Sequence, residues 1–228
     1  MMKNILKIIL PAVMTMAPMG ALADQRFVVD YFKNFQTLEA NFTQEIITKD
    51  REDTTSGQLI IEKEPSTKEQ DNGAQSAKGN LNNKLQGPKF LFDYTKPYHQ
   101  ILVSDGSKFW FYDVDLMQVI IKPVKEVVNN PVLQILLSDK TLDQNFNIKT
   151  VRDRREYLLT PKVQSGDMQI TDIQLIFANR KIYSFKVEDV TGQTISFVMR
   201  SVVENKPVDS SVFDFSIPKD VDIINETK

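Results

Sequence analysis

The chain has 228 residues, 28 of them Lys or Arg against 30 Asp or Glu, for a formal net charge of -2. A balance this mild and mixed argues against nucleic acid as a partner. There is no cysteine, so an exported form must hold together by its apolar core without disulfides.

Lys3 and Lys7 precede an apolar run from Ile8 to Met19, and Ala21-Leu22-Ala23 stands just before Asp24, which is the layout of a cleaved secretory signal over residues 1–23. The run falls short of the roughly 20 residues needed to span a bilayer, and Pro11 and Pro18 interrupt it. Cleavage removes two lysines and no acid, moving the formal charge from -2 to -4. Residues 24–228 are expected to form a single domain, since about 205 residues suffice for one sizeable core. A bacterial lipoprotein carries its acyl chains on a cysteine at the cleavage point. None stands there, so a monomer freely soluble outside the cytoplasm is expected.

Between Gln25 and Leu38, Phe27, Tyr31, Phe35 and Leu38 recur on one helical face and predict an amphipathic helix. Alternation from Ala40 to Thr48 and from Gly57 to Lys63 predicts a hairpin, with the polar stretch 49–56 as its loop. Residues 65–87 hold no aromatic and only two leucines among polar residues and glycines, and read as an exposed inserted loop. Residues 88–113 then hold eight of the 21 aromatics of the chain. Phe90, Phe92 and Tyr94 alternate with Leu91 and Asp93, so as a strand all three rings line one face. Such a row needs an apolar cover. Further strands are predicted over 100–104, 108–113 and 117–122, with a turn at Asp105-Gly106, giving an antiparallel meander.

Asn130-Pro131 is a helix start, a capping side chain followed by proline at the first helical position. Of the residues that follow, Val132, Leu133, Ile135, Leu136 and Leu137 are apolar, so this short helix must be covered nearly all round. The β pattern resumes at Phe146 and Ile148, then Tyr157 and Leu159, then 168–178, 181–189, 194–203 and 212–217. Turns are expected at Ser165-Gly166, Asn179-Arg180 and Thr191-Gly192. The fold class is therefore mainly β (α+β): an unclosed, strongly curved antiparallel sheet or barrel of about 11 strands, with helices over its concave face. No βαβ alternation points to a parallel nucleotide-binding sheet.

The chain offers poor material for catalysis. His99 is the only histidine, and a lone histidine beside a strand start is more often structural than catalytic. Asp113-Val114-Asp115 opens like a calcium loop but lacks the glycine and glutamate that complete one, and reads as a hairpin turn. Asp93, Asp113 and Asp189 are the carboxylates whose convergence would be needed for paired-acid chemistry. No phosphate-cradling glycine loop and no nucleophile elbow occurs. No cofactor, no metal and no enzymatic activity are expected.

Several short motifs, weak singly, together resemble one family. They are Asn41-Phe42-Thr43-Gln44, Ser56-Gly57, the Pro88 to Pro97 block ending Asp93-Tyr94-Thr95-Lys96-Pro97, and Ile101 to Gly106 leading into Phe109-Trp110-Phe111-Tyr112. Then come Asn130-Pro131, Tyr157 to Lys162, Gly192-Gln193, and Phe213-Asp214-Phe215 with Pro218. In order and spacing the mature chain resembles LolA, the periplasmic carriers of outer-membrane lipoproteins. The resemblance implies an unclosed antiparallel barrel with a helical lid over an apolar cavity. It implies triacylated lipoproteins as cargo, taken from the inner-membrane ABC transporter LolCDE and passed to the receptor LolB. By motif position it makes Phe90 and Phe92 cavity residues with Tyr94 on the same face, and Val132, Leu133 and Leu136 lid residues. The family usually has an arginine before the aromatic block that hydrogen-bonds the lid. Here that place falls on Gln86 counting back from Phe90, or on Lys63 counting forward from Gly57, so a latch here would use one of these without the planar fork of arginine. A sensor of the RseB type shares the fold, but that family has an additional C-terminal domain and this chain ends soon after Pro218.

Overall fold

Residues 19–63, 87–127, 131–137, 142–163 and 169–227 are described by a computed structural model, without the side chains of 19–24, 131, 132 and 134. The expected signal before Met19, the loop 65–86, the cap Asn130 and the turn Ser165-Gly166 lie outside the described residues. Chain order begins with helix α1 (Met19–Asn34), strands β1 (Thr37–Ile47) and β2 (Glu52–Glu62), then β3 (Lys89–Lys96), β4 (Gln100–Asp105), β5 (Lys108–Asp113) and β6 (Gln118–Pro123). Three short helices follow, α2 (Val124–Val127), α3 (Pro131–Leu137) and α4 (Leu142–Asn145). The remaining strands are β7 (Phe146–Arg152), β8 (Glu156–Pro161), β9 (Ile170–Ala178), β10 (Lys181–Asp189), β11 (Thr194–Glu204) and β12 (Asp222–Asn225).

The described strands form one twelve-stranded sheet in the order β12-β6-β5-β4-β3-β2-β1-β11-β10-β9-β8-β7. It does not close, because β12 and β7 each end it. Every pair is antiparallel except β12 with β6. β1 sits at the middle, pairing Phe42 with Gly57 on one side and with Met199 on the other. Register shifts in the β1–β11, β2–β3, β7–β8 and β9–β10 pairs bend the strands and deepen the twist. The bent sheet wraps its inner face around α1, α3 and α4, whose apolar residues share one core with it.

Three expectations are corrected. The first helix stops at Asn34, and Leu38 lies in β1 opposite Glu204 and Ile61. A leucine on the helical spacing is claimed by the ladders on both its sides. The β1–β2 loop is only 48–51, since Glu52 to Ser56 continue β2, paired with Ile47 to Thr43; threonines suit a pleated surface despite their polarity. The segment 212–217 is not a strand. A 3-10 turn occupies Ser210–Phe213, begun by the Asp209 side chain accepting from the Ser211 amide, and the last strand is β12, parallel to β6. Phe215 instead lays its ring on Trp110 and Tyr112, each 6.0 Å away centre to centre. The segment binds the outer face by rings rather than by backbone pairing.

Turn chemistry sets the registers. Asn179 and Arg180 both have left-handed backbones, φ 51° and 64°, and close the β9–β10 hairpin with Ala178 opposite Lys181, as a primed two-residue turn requires. Gly192, at φ 83°, completes the β10–β11 turn. There the Asp189 carboxylate accepts from the Thr191 amide at 2.9 Å, the Thr191 hydroxyl at 2.6 Å and the Gln193 amide at 3.0 Å. Burial pushes the Asp189 carboxyl up, but these hydrogen bonds outweigh it and hold its pKa below the usual value. A depressed carboxyl adds stability that is present above the unfolded pKa, about 3.9, and lost as pH falls through the folded one. Asp189→Ala is therefore expected to cost about 1.5–3 kcal/mol at neutral pH and to flatten the acid limb of the stability curve. Parallel acid limbs for variant and parent would contradict this account of the turn.

Candidate functional site

The alternation of β3 puts Phe90, Phe92 and Tyr94 on the inner face, and the structure brings all three into one apolar cluster. Phe90 is 0% and Phe92 3% exposed. The ring of Phe90 lies 6.0 Å from those of Phe92 and Phe109, and Phe42 of β1 meets Tyr94 edge-on at 5.0 Å and Phe92 at 6.0 Å. Edge-on contacts of this kind exceed what area burial alone supplies. Burial also raises the Tyr94 hydroxyl well above the ordinary phenol pKa, so it stays neutral. Across the sheet, Phe185 stacks on Phe197 at 4.8 Å, and Phe197 lies 5.5 Å from Phe42. The floor is thus continuous from β3 to β10.

The cover is helical. Val28 and Phe32 of α1, Phe35 just beyond its end, and Leu133, Ile135, Leu136 and Leu137 of α3 belong to the same cluster as the floor. The described side chains of α3 are all apolar, so only non-directional packing holds them. α1 is tied down by polar bonds as well. Gln25 donates to the Ile148 carbonyl at 2.8 Å, the Tyr31 hydroxyl donates to Glu204, and the Ile182 amide donates to that hydroxyl at 3.1 Å. Lys63 is buried; its ammonium donates to the Phe32 carbonyl at 2.9 Å and lies 4.8 Å from the Phe35 ring centre. A cation there also suits the negative C-terminal end of α1.

Of the residues singled out from sequence, Phe90, Phe92, Tyr94, Leu133 and Leu136 therefore meet between sheet and helices. Lys63 lies against α1. The side chain of Val132, and Gln86 altogether, lie outside the described residues. Phe32, Phe185 and Phe197 belong to the same surface and were not singled out. Alternation in β10 and β11 marks the last two as inward-facing, but nothing in a single strand says which inward face carries function.

Of the remaining aromatics of residues 88–113, Phe109 and Phe111 also belong to or pack against the inner core, Tyr98 is exposed, and Trp110 and Tyr112 serve the opposite face. Val103, Trp110, Val119 and Ile121 form a second cluster, with Leu91, Ile101, Tyr112, Phe215 and Val221 against it. The catalytic candidates are dispersed and engaged locally. Asp93 pairs with His99 at 3.2 Å, Asp113 accepts from Gln100 at 2.9 Å and from the Leu116 amide at 3.0 Å, and Asp189 caps its turn. Residues 113–117 form the expected hairpin turn. Among the described residues no three His, Asp or Glu side chains group as metal ligands, and no helix is long and apolar enough to cross a membrane.

Residues 65–216 match the family described as outer membrane lipoprotein carrier protein LolA. An outer-membrane lipoprotein carrier protein of Francisella tularensis subsp. novicida is 32% identical over 205 residues, covering 88% of this chain and 87% of its own. One from Chromohalobacter salexigens is 34% identical over 155 residues, covering 67% of this chain and 72% of its own. Among solved structures, an uncharacterized conserved protein from Thermus thermophilus superposes with a TM-score of 0.50 at 11% identity, over 90% of this chain and 99% of its own. At that identity the likeness speaks for the fold alone.

Proposed function

Since the chain belongs to the LolA family of outer-membrane lipoprotein carrier proteins, we propose that it escorts triacylated lipoproteins across the periplasm, sheltering their acyl chains against the inner face of its sheet. The observation that carries this reading is the single apolar cluster joining Phe90 and Phe92 on the floor to Leu133 and Leu136 on the cover. Each buried CH₂ is worth roughly 0.8 kcal/mol, so an acyl chain in water is unfavourable by on the order of 10 kcal/mol. Such a chain needs cover and no specific geometry, which suits cargoes that share only their lipid.

Helices and acyl chains compete for the same rings. As α3 lifts, the cargo covers the apolar surface that the helix exposes, so loading and unloading exchange like for like. No bond is made or broken in the carrier, and no turnover occurs. LolCDE supplies the cargo and LolB, offering a better apolar surface, receives it. The described part of α3, held by packing alone, yields before α1, which polar bonds hold.

Lys63 is the latch on α1. Lys63→Met keeps the aliphatic stem but loses the charged hydrogen bond to Phe32, worth about 1.5–3 kcal/mol. The variant should take up an apolar fluorescent probe more readily than the parent at equal concentration. Identical uptake would remove Lys63 from the latch role.

The reading itself is tested by incubating the mature protein with membranes holding a triacylated lipoprotein, LolCDE and ATP. A soluble one-to-one complex is expected. If a folded protein releases no lipoprotein, the carrier reading fails.

A further inference from the structure

At the rim of the apolar core, one side of α1 and the turns β7–β8 and β9–β10 border a cleft of about 400 Å³. Arg26, Arg154 and Arg180 line it, with Phe27, Tyr31 and Phe35 as an aromatic wall. Neither Arg26 nor Arg180 has a carboxylate partner among the described residues. Of the two acids at the cleft, Glu204 takes the hydrogen bond of the Tyr31 hydroxyl. That leaves Asp30 as the one acid of the cleft lining without a described partner of its own, beside Arg26, Arg154 and Arg180.

Two of the arginines stand where the backbone favours another residue. Arg154 has φ 51° and Arg180 φ 64°, left-handed conformations that glycine adopts freely and arginine does not. In a primed hairpin turn the second central position, held here by Arg180, is dominated by glycine. Non-glycine residues in such conformations cluster at ligand sites. Arg180 also lays its guanidinium over Phe27, 5.6 Å from the ring centre, which turns it toward the cleft wall.

We infer that this cleft binds the phosphate of a lipid headgroup. A phosphate accepts from more than one guanidinium fork at once, which a single carboxylate does less well. The volume lies near the small end of the range of ligand pockets, about 300–1,000 Å³, and exceeds what a bare phosphate fills. Phe27, Tyr31 and Phe35 line the cleft and also belong to or pack against the apolar core. A headgroup held by the arginines therefore has its acyl chains beside aromatic rings. Asp30, in the same cleft, suits a headgroup that carries an ammonium beside its phosphate.

The test is calorimetric titration of the mature protein with dihexanoylphosphatidylethanolamine, dihexanoylphosphatidylglycerol and inorganic phosphate. Both short-chain lipids should bind at least about tenfold more tightly than phosphate. Arg154→Gly and Arg180→Gly should each weaken lipid binding about tenfold while leaving the melting temperature within a few degrees of the parent, because glycine fits both backbone positions. That dependence on arginine separates the cleft from acyl chains entering the apolar face. Phosphate binding as tightly as the lipids would overturn the headgroup assignment in favour of a free anion. No binding of any probe, or affinities unchanged in both variants, would overturn the site. Neither result bears on lipoprotein release from membranes, which is read separately.

Discussion

Phe90→Ala is expected to lower the stability of the empty protein by about 3–5 kcal/mol, the range for removing a large buried ring. Phe90 is fully enclosed and has the rings of Phe92 and Phe109 as neighbours, so the vacated space cannot collapse without moving two other aromatics. If acyl chains occupy this face, the cargo fills part of the hole. Loss of stability should then be clearly smaller in the loaded protein, and by linkage the variant should hold its cargo more tightly than the parent. Melting curves of empty and loaded protein measure both. Equal losses in the two states would make Phe90 an ordinary core residue that cargo never meets.

Gly57→Ala should be similarly severe for a different reason. A Cβ at Gly57 would stand 2.0 Å from the backbone carbonyl oxygen of Asp93, at the register shift where β2 crosses β3. The obstacle is backbone, so relief requires the two strands to part, and the cost should reach or exceed the upper end of the about 1–3 kcal/mol typical of overpacking. Gly192 supplies the contrast. A Cβ there meets nothing within 4 Å, but its φ of 83° disfavours any side chain, so Gly192→Ala should cost only about 1 kcal/mol. Urea midpoints should fall in the order parent, Gly192→Ala, Gly57→Ala. A Gly57→Ala midpoint equal to that of the parent would mean the close approach of β2 and β3 is not required.

The two glycines also show what a sequence makes visible. Gly192 follows Thr191 in a turn and can be read as one. Gly57 sits inside a strand, and its need appears only when β3 is placed beside it. Phe90, Phe92 and Tyr94 were legible for a similar reason to Gly192, because alternation within one strand is a local pattern. The excess of aromatics in residues 88–113 was visible too, but its division was not. Trp110 and Tyr112 are covered by Phe215, from more than a hundred residues later in the chain, and no local pattern announces that pairing. Tertiary partners likewise moved Leu38 from helix to strand and let β12 pair in parallel with β6, both against local expectation. Lys63 was a latch candidate, beside Gln86, only through the family resemblance and a count forward from Gly57, and its partner, a backbone carbonyl of α1, carries no sequence signal at all.

The proposed carrier role requires the acyl chains of the cargo on the inner face of the sheet and none on the outer. A photo-crosslinking amino acid placed at Phe92, inside, or at Trp110, outside, in protein loaded with a triacylated lipoprotein tests it most directly. Adducts between the acyl chains and position 92, with none at position 110, are the expected result. Adducts at position 110 alone, or equally at both, would contradict the inner-face account and leave Phe90, Phe92 and the helices above them as no more than the core of the fold.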